Sequence, residues 1–299
     1  MTSKSENFLI VGADSFLGAK LIKVLEDRGC SVSGTTRRKE NLRGNRIFLD
    51  LYADNFDFIA PEGTTYAYLL AGIVDYSECE RNPKSWEVNV EKMTLIAQQL
   101  MRQGVFVTFI SSNTVFGGER PWCHEDAKHM PKFTYARHKS AAESAIREMA
   151  KKLGSVELFN VVRLTKILSI KTPPLPSWSS AIQQGETFYP FSDLIIAPMS
   201  LRFTAESLAE IGHYRLPGNL HLSGEENISY VKLAHALGAK MSCDPQLINP
   251  TTSAKMNVDI PFKPQFSGIS MQRTSGRTGI QPQSLQQVVN DLALEYRSS

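Results

Sequence analysis

Residues Asn7–Gly18, NFLIVGADSFLG, constrain this chain more than any other stretch. Phe8-Leu9-Ile10-Val11 is an apolar run of strand length, and Gly12 follows it at once. Asp14, Ser15 and Gly18 come next, at the head of an amphipathic run from Phe16 to Asp27 that stops at Arg28-Gly29. Strand, glycine turn and helix in this order open a dinucleotide-binding sheet. Gly12 permits the tight turn and Gly18 lets the helix sit close to the strand. The helix start offers free N–H groups and a positive dipole end to a pyrophosphate. The usual spacing G-x-x-G-x-x-G would have glycine where Ser15 stands. That departure sets a side chain at the point of closest phosphate approach.

Further strand candidates follow at intervals that leave room for helices. They are Ser31–Thr36, Arg46–Leu51, Thr64–Gly72, Val105–Ser112 and Val156–Leu164. Helical segments run from about Pro83 to Gln103 and from Phe133 to Lys152, closed by Gly104 and Gly154. The alternation predicts an α/β fold, a Rossmann-type doubly wound parallel sheet covered by helices. Regularity then falls. Lys171–Pro176, with three prolines, reads as an extended connector. Beyond it come an amphipathic stretch through Gln184, a strand at Leu194-Ile195-Ile196 and a helix at Thr204–Tyr214. A strand at Leu220-His221-Leu222, a helix at Ser229–Leu237, a loop-rich region over 244–280 and a final helix at Ser284–Arg297 complete the reading. The expected division is a cofactor-binding domain over 1–165 and a mostly substrate-binding α/β part over 166–299, with a segment near 192–215 returning to the first domain.

Composition narrows the class. The chain has 299 residues, 42% of them hydrophobic and 21% charged, values typical of a soluble globular protein. A net charge of +3 without a basic, aromatic-interleaved run gives no footprint for nucleic acid. The four cysteines are scattered, with no C-x-x-C pair and no histidine cluster, so a metal site is not expected and the thiols read as reduced. The opening MTSKSEN has no apolar leader core, and no apolar run reaches the ~18 residues a membrane helix needs. A cytoplasmic protein is expected.

The chemistry is carried by Ser112, Tyr135 and Lys139. Tyr135 and Lys139 stand four apart in a helical segment and share one face. A phenol with a pKa of ~10 is a poor acid or base at neutral pH, and an ammonium one turn away lowers that value. Ser112 ends a strand, where open α/β sheets hold their ligands. Its hydroxyl can bond a carbonyl that Tyr135 protonates as hydride arrives. The Y-x-x-x-K spacing alone is common on helix surfaces; its weight here comes from following a nucleotide fold and a hydroxyl-ended strand. The end of the second strand carries Arg37-Arg38-Lys39 and no acid, which favours the 2′-phosphate of NADP over NAD unless the triplet is a solvated turn. Arg163 either faces the substrate or pairs with a carboxylate.

These features together resemble the extended short-chain dehydrogenases/reductases. The resemblance rests on Gly12–Gly18, Asp50-Leu51, Ala71-Gly72, Cys79-Glu80, Asn89-Val90, Ser111–Gly117 and Tyr135–Lys139 with Glu143. It implies cofactor contacts from Gly12, Asp14, Ser15, Phe16, Leu17, Gly18, Arg37, Arg38, Asp50, Leu51, Ala71, Gly72, Asn89, Tyr135 and Lys139. It implies a catalytic Ser112, Tyr135 and Lys139, and substrate contacts from Ser112, Asn113 and Arg163. It further implies a homodimer built on the helices near 83–103 and 133–152. Within the family the likeness runs to the dTDP-4-dehydrorhamnose reductases, through Val115–Gly118, Ala197-Pro198 and Met271–Pro282. Asn113-Thr114, where sugar dehydratases would have Asp-Glu, argues against dehydration. The expected function is NADPH-dependent reduction of the 4-keto group of a nucleotide sugar. An epimerase with a tightly held cofactor and a non-catalytic NADP(H) sensor are the alternatives.

Overall fold

The structure is a computed structural model that describes residues 6–54 and 58–297. Residues 1–5, read above as lacking an apolar leader, lie outside the described residues. Among those described, no helix is long and apolar enough to cross a membrane, and no group of three or more His, Cys, Asp or Glu side chains is placed to hold a metal ion.

The chain opens with β1 (Asn7–Val11), α1 (Phe16–Asp27), β2 (Ser31–Thr36), β3 (Arg46–Phe48) and β4 (Tyr66–Leu69). Next come α2 (Tyr76–Arg81), a π-helical segment over Glu87–Lys92 that runs into α3 (Met93–Arg102), and β5 (Phe106–Ser112). A single turn at Asn113–Phe116, α4 (Thr134–Leu153), β6 (Phe159–Leu164) and β7 (Lys166–Leu168) follow. The later elements are α5 (Leu175–Gln184), β8 (Ile195–Ile196), β9 (Pro198–Ser200), α6 (Leu201–Tyr214), β10 (Gly218–Leu222) and β11 (Ile228–Ser229). The helices α7 (Tyr230–Lys240), α8 (Gln272–Thr278) and α9 (Leu285–Arg297) close the chain.

The sheet has seven strands in the order β10-β6-β5-β4-β1-β2-β3, a Rossmann-type doubly wound α/β arrangement. β1 pairs in parallel with β2 and β4, β2 with β3 and β4 with β5. β1 and β4 are buried almost throughout, as expected of strands covered by helices on both faces.

The chain forms two compact units. One holds the described residues up to Val115 together with Pro131–Arg163 and Ala205–Leu220; the other holds Phe116–Met130, Leu164–Thr204 and the chain from His221 onward. The division therefore crosses the sequence several times, whereas the sequence reading set one step at 165 and a return near 192–215. In the first unit Gly212 of α6 comes so close to the sheet that a Cβ there would lie 2.0 Å from the Tyr68 hydroxyl, which donates to Leu208 O at 2.7 Å. Phe8, Tyr66 and Tyr68 stack beneath it, with ring centroids 4.8–6.2 Å apart.

In the second unit β7 pairs with β9 and β8 with β11. Trp178, Leu233, Val288 and Leu292 anchor its core. Trp178 is 4% exposed and packs on Phe188 and Tyr230. Two expectations change here. The proline run is not a plain connector, because α5 begins inside it at Leu175 with Pro176 in the first turn, where a missing N–H costs nothing. The region over 244–280 contains α8, which has no apolar stripe and is tied down instead by Thr274, bonded to the backbone of His221 at 2.9 and 2.8 Å.

Candidate active site

The glycine turn is fixed by crowding. Gly12 has φ +102°, and a Cβ on it would lie 2.7 Å from Ala71 N, so only glycine fits. A Cβ on Gly18 would lie 2.3 Å from Gly12 O. Ser15, the residue that breaks the usual glycine spacing, is the N-cap of α1: its hydroxyl accepts from Gly18 N at 3.0 Å and donates to Gly12 O at 2.8 Å. The side chain is thus folded back onto its own turn. The N–H groups of Phe16 and Leu17, in the first turn of α1, have no intrahelical acceptor. A bare glycine cradle beside a helix start with free donors is what a dinucleotide pyrophosphate requires, so these residues fit a nicotinamide cofactor.

At the end of β2, Thr36 Oγ1 donates to Asp14 Oδ2 at 2.5 Å and accepts the Arg38 N–H at 3.0 Å. Arg37 lies over the Tyr52 ring, 5.9 Å from its centroid. Asp50 Oδ1 accepts from Tyr52 N, and Leu51 is buried.

Beside Ala71, Gly72 has φ +148°, and a Cβ on it would meet Asn89 Oδ1 at 2.7 Å. Asn89, expected as a cofactor contact, is 4% exposed. Its amide accepts from Ile73 N at 2.7 Å and donates to Ile73 O at 2.9 Å. It clamps the loop after β4 from within the core, because both ends of its amide are committed to backbone. His138, between Tyr135 and Lys139 in sequence, faces the same buried pocket and meets Trp86 edge-on.

The hydroxyl, phenol and ammonium meet at the end of β5. Ser112 Oγ accepts from Thr114 N at 3.2 Å and from Thr114 Oγ1 at 3.0 Å, and donates to Asn113 Oδ1 at 3.3 Å. Tyr135, on the first turn of α4, has its ring 5.4 Å from that of Tyr76. Burial pushes the Tyr135 phenol well above the usual tyrosine range, Tyr76 and Cys79 add to the rise, and the Ser112 hydroxyl opposes it. The sequence argument had Lys139 lowering this phenol. In the structure burial prevails, and Lys139 Nζ donates to Ile110 O at 2.8 Å, with the Tyr135 ring centroid 5.9 Å away. Burial also pulls the Lys139 ammonium down to about 8, against the attraction of Glu143.

Arg163 takes the second of the two roles left open for it. It is 1% exposed, and its guanidinium holds Glu143 through Nε and Nη2. Ser111 also donates to Glu143. A cation this deep is stable only against a carboxylate, and the same Glu143 carboxylate acts on Lys139. Sequence reasoning missed α2, which carries Tyr76 and Cys79 to Tyr135. The signal was present as Asp75-Tyr76-Ser77-Glu78: Asp75 caps the helix, accepting from Glu78 N at 2.7 Å. Taken by itself, the second unit buries Glu125. It is 3% exposed and accepts from Arg273 N at 3.1 Å.

Comparison with known proteins adds the family. The model of the RmlD substrate-binding domain matches residues 6–298. No match is found among curated proteins. Among solved structures, the dTDP-4-dehydrorhamnose reductase from Yersinia enterocolitica is 21% identical with a TM-score of 0.78, over 96% of this chain and 100% of that one. The dTDP-4-dehydrorhamnose reductase from Bacillus anthracis str. Ames, in complex with NADP, is 16% identical with a TM-score of 0.81, over 97% and 99%. MoeE5, in complex with UDP-glucose and NAD, is 18% identical with a TM-score of 0.78, over 98% and 99%. The glycine cradle, the parallel sheet and a family match over nearly the whole chain lead to one conclusion: this chain belongs to the RmlD substrate-binding-domain family.

Proposed function

We propose that this chain is an NADPH-dependent reductase acting on the 4-keto group of a nucleotide-linked sugar. The observation that carries the reading is the convergence of Ser112, Tyr135 and Lys139 at the carboxyl end of β5. A reduction needs a proton donor at the carbonyl oxygen, and burial keeps the Tyr135 phenol protonated at neutral pH. Ser112, whose hydroxyl opposes the rise of that phenol, polarises the same oxygen. Lys139, one turn along α4, stabilises the phenolate left when the proton leaves Tyr135 and would hold the ribose. The nicotinamide cofactor supplies hydride to the carbonyl carbon. Arg37, Arg38 and Lys39 are exposed beside the end of β2 and favour a 2′-phosphate. The substrate class follows the likeness to dTDP-4-dehydrorhamnose reductases and to a neighbour solved with UDP-glucose. The same reading takes the protein as a cytoplasmic homodimer, which fractionation and light scattering test.

The deciding experiment is NADPH oxidation by the pure protein on adding a 4-keto-6-deoxy nucleotide sugar, with NADH in parallel. Loss of NADPH with the substrate supports the reading. Conversion of a nucleotide sugar with no net cofactor consumption replaces it with the epimerase. Silence with both, alongside retained NADPH binding, replaces it with a sensor.

A further inference from the structure

The second strand ends without an acid, yet a carboxylate stands at its end. It comes from the glycine turn. Asp14 reaches across from between Gly12 and Ser15, and Thr36 Oγ1, at the last position of β2, donates to its Oδ2 at 2.5 Å. Asn41 Nδ2, just past that end, donates to its Oδ1 at 3.3 Å. The carboxylate is exposed, and each oxygen holds one protein donor, so each retains a free acceptor site. Two free acceptor sites on one carboxylate match the paired hydroxyls of a ribose. They repel a phosphate on the same sugar.

We infer that Asp14 reads the adenosine ribose of the cofactor, replacing the acid that β2 lacks and opposing the preference that Arg37, Arg38 and Lys39 give to a 2′-phosphate. The inference rests on the cofactor part of the reading above and not on the sugar or the reaction. The plainer role for Asp14 is to anchor the basic turn, because Thr36 Oγ1 bonds both Asp14 and the Arg38 N–H. The two roles separate cleanly. Asp14→Asn keeps an oxygen for Thr36 and removes the charge; Thr36→Val keeps the charge and removes the anchor.

The test is direct binding by the full-length protein, read from ligand fluorescence for NADPH and NADH and by calorimetry for 2′,5′-ADP and ADP. Asp14→Asn is expected to tighten NADPH and 2′,5′-ADP and to weaken NADH and ADP. The ratio should move by about tenfold, the scale of one unit charge brought near another in water. Thr36→Val is expected to weaken both members of each pair alike. An unchanged ratio in Asp14→Asn, or the same shift in Thr36→Val, would reduce Asp14 to an anchor and overturn the inference. Failure of the unaltered protein to bind either dinucleotide would overturn the cofactor reading and this inference together. Binding with an unchanged ratio would overturn only the latter.

Discussion

Arg163 and Glu143 form a two-nitrogen fork inside the first unit, with Nε 3.0 Å from Oε1 and Nη2 2.7 Å from Oε2. Their side chains are 1% and 0% exposed. Glu143 lies one turn beyond Lys139 on α4, so the fork also sets the charge environment of that lysine. Removing one partner strands a buried charge. Glu143→Gln should lower unfolding free energy by about 3–5 kcal/mol, while replacing both residues with apolar ones of similar volume should recover most of it. Urea denaturation of the single and double variants checks this; a loss below about 1 kcal/mol in the single variant would contradict it.

Lys139 predicts a pH effect on stability. Its folded pKa of about 8 lies below the ordinary 10.5, so between these values the unfolded chain holds a proton that the folded one has released. Stability attributable to this site therefore rises with pH across that window, and below it the cost of burying the ammonium is present in full. Relative to Lys139→Met, the unaltered protein should gain up to about 1.4 kcal/mol per pH unit there. Parallel stability curves for the two proteins would show that the lysine is not depressed.

Ser15 has become a helix cap. Ser15→Ala should cost about 1 kcal/mol, whereas Ser15→Gly should cost only a few tenths. Because the hydroxyl is turned back onto Gly12 O, Ser15→Gly should also bind the dinucleotide at least as tightly as the unaltered protein. Thermal unfolding and cofactor titration of the pair separate capping from phosphate approach.

Tyr135→Phe removes only the phenolic oxygen from a ring packed against Tyr76 and Phe133. Turnover should fall by about 10²–10⁴-fold while cofactor affinity stays within a few-fold. An active Phe variant would remove Tyr135 from the proposed chemistry.

Much of this was legible because it is local. The run Phe8–Val11, Gly12 and the stripe from Phe16 to Asp27 state strand, turn and helix within twenty residues, and β1 and α1 form there. The four-residue spacing likewise puts Tyr135 and Lys139 on one face of α4. Properties that depend on distant partners were not legible. Arg163 could be read either way until Glu143, twenty positions away, was seen facing it. The direction of the Tyr135 shift depends on how deeply α2 buries the ring, which spacing along α4 does not express. Asn89 reads as a ligand contact in a motif and as a clamp only when Ile73 is beside it.

The return of Ala205–Leu220 to the first unit has a consequence for anyone recombining this protein. A fragment cut at residue 165 would retain every motif of the nucleotide fold. It would also lose the carbonyl of Leu208 that accepts the Tyr68 hydroxyl, and the helix that packs on Phe8 and Tyr68. Such a fragment carries a bare aromatic shelf and should aggregate on expression. Crossovers in chimeras must therefore spare 205–220 as well as the leading segments, and the exchangeable unit is a discontinuous one.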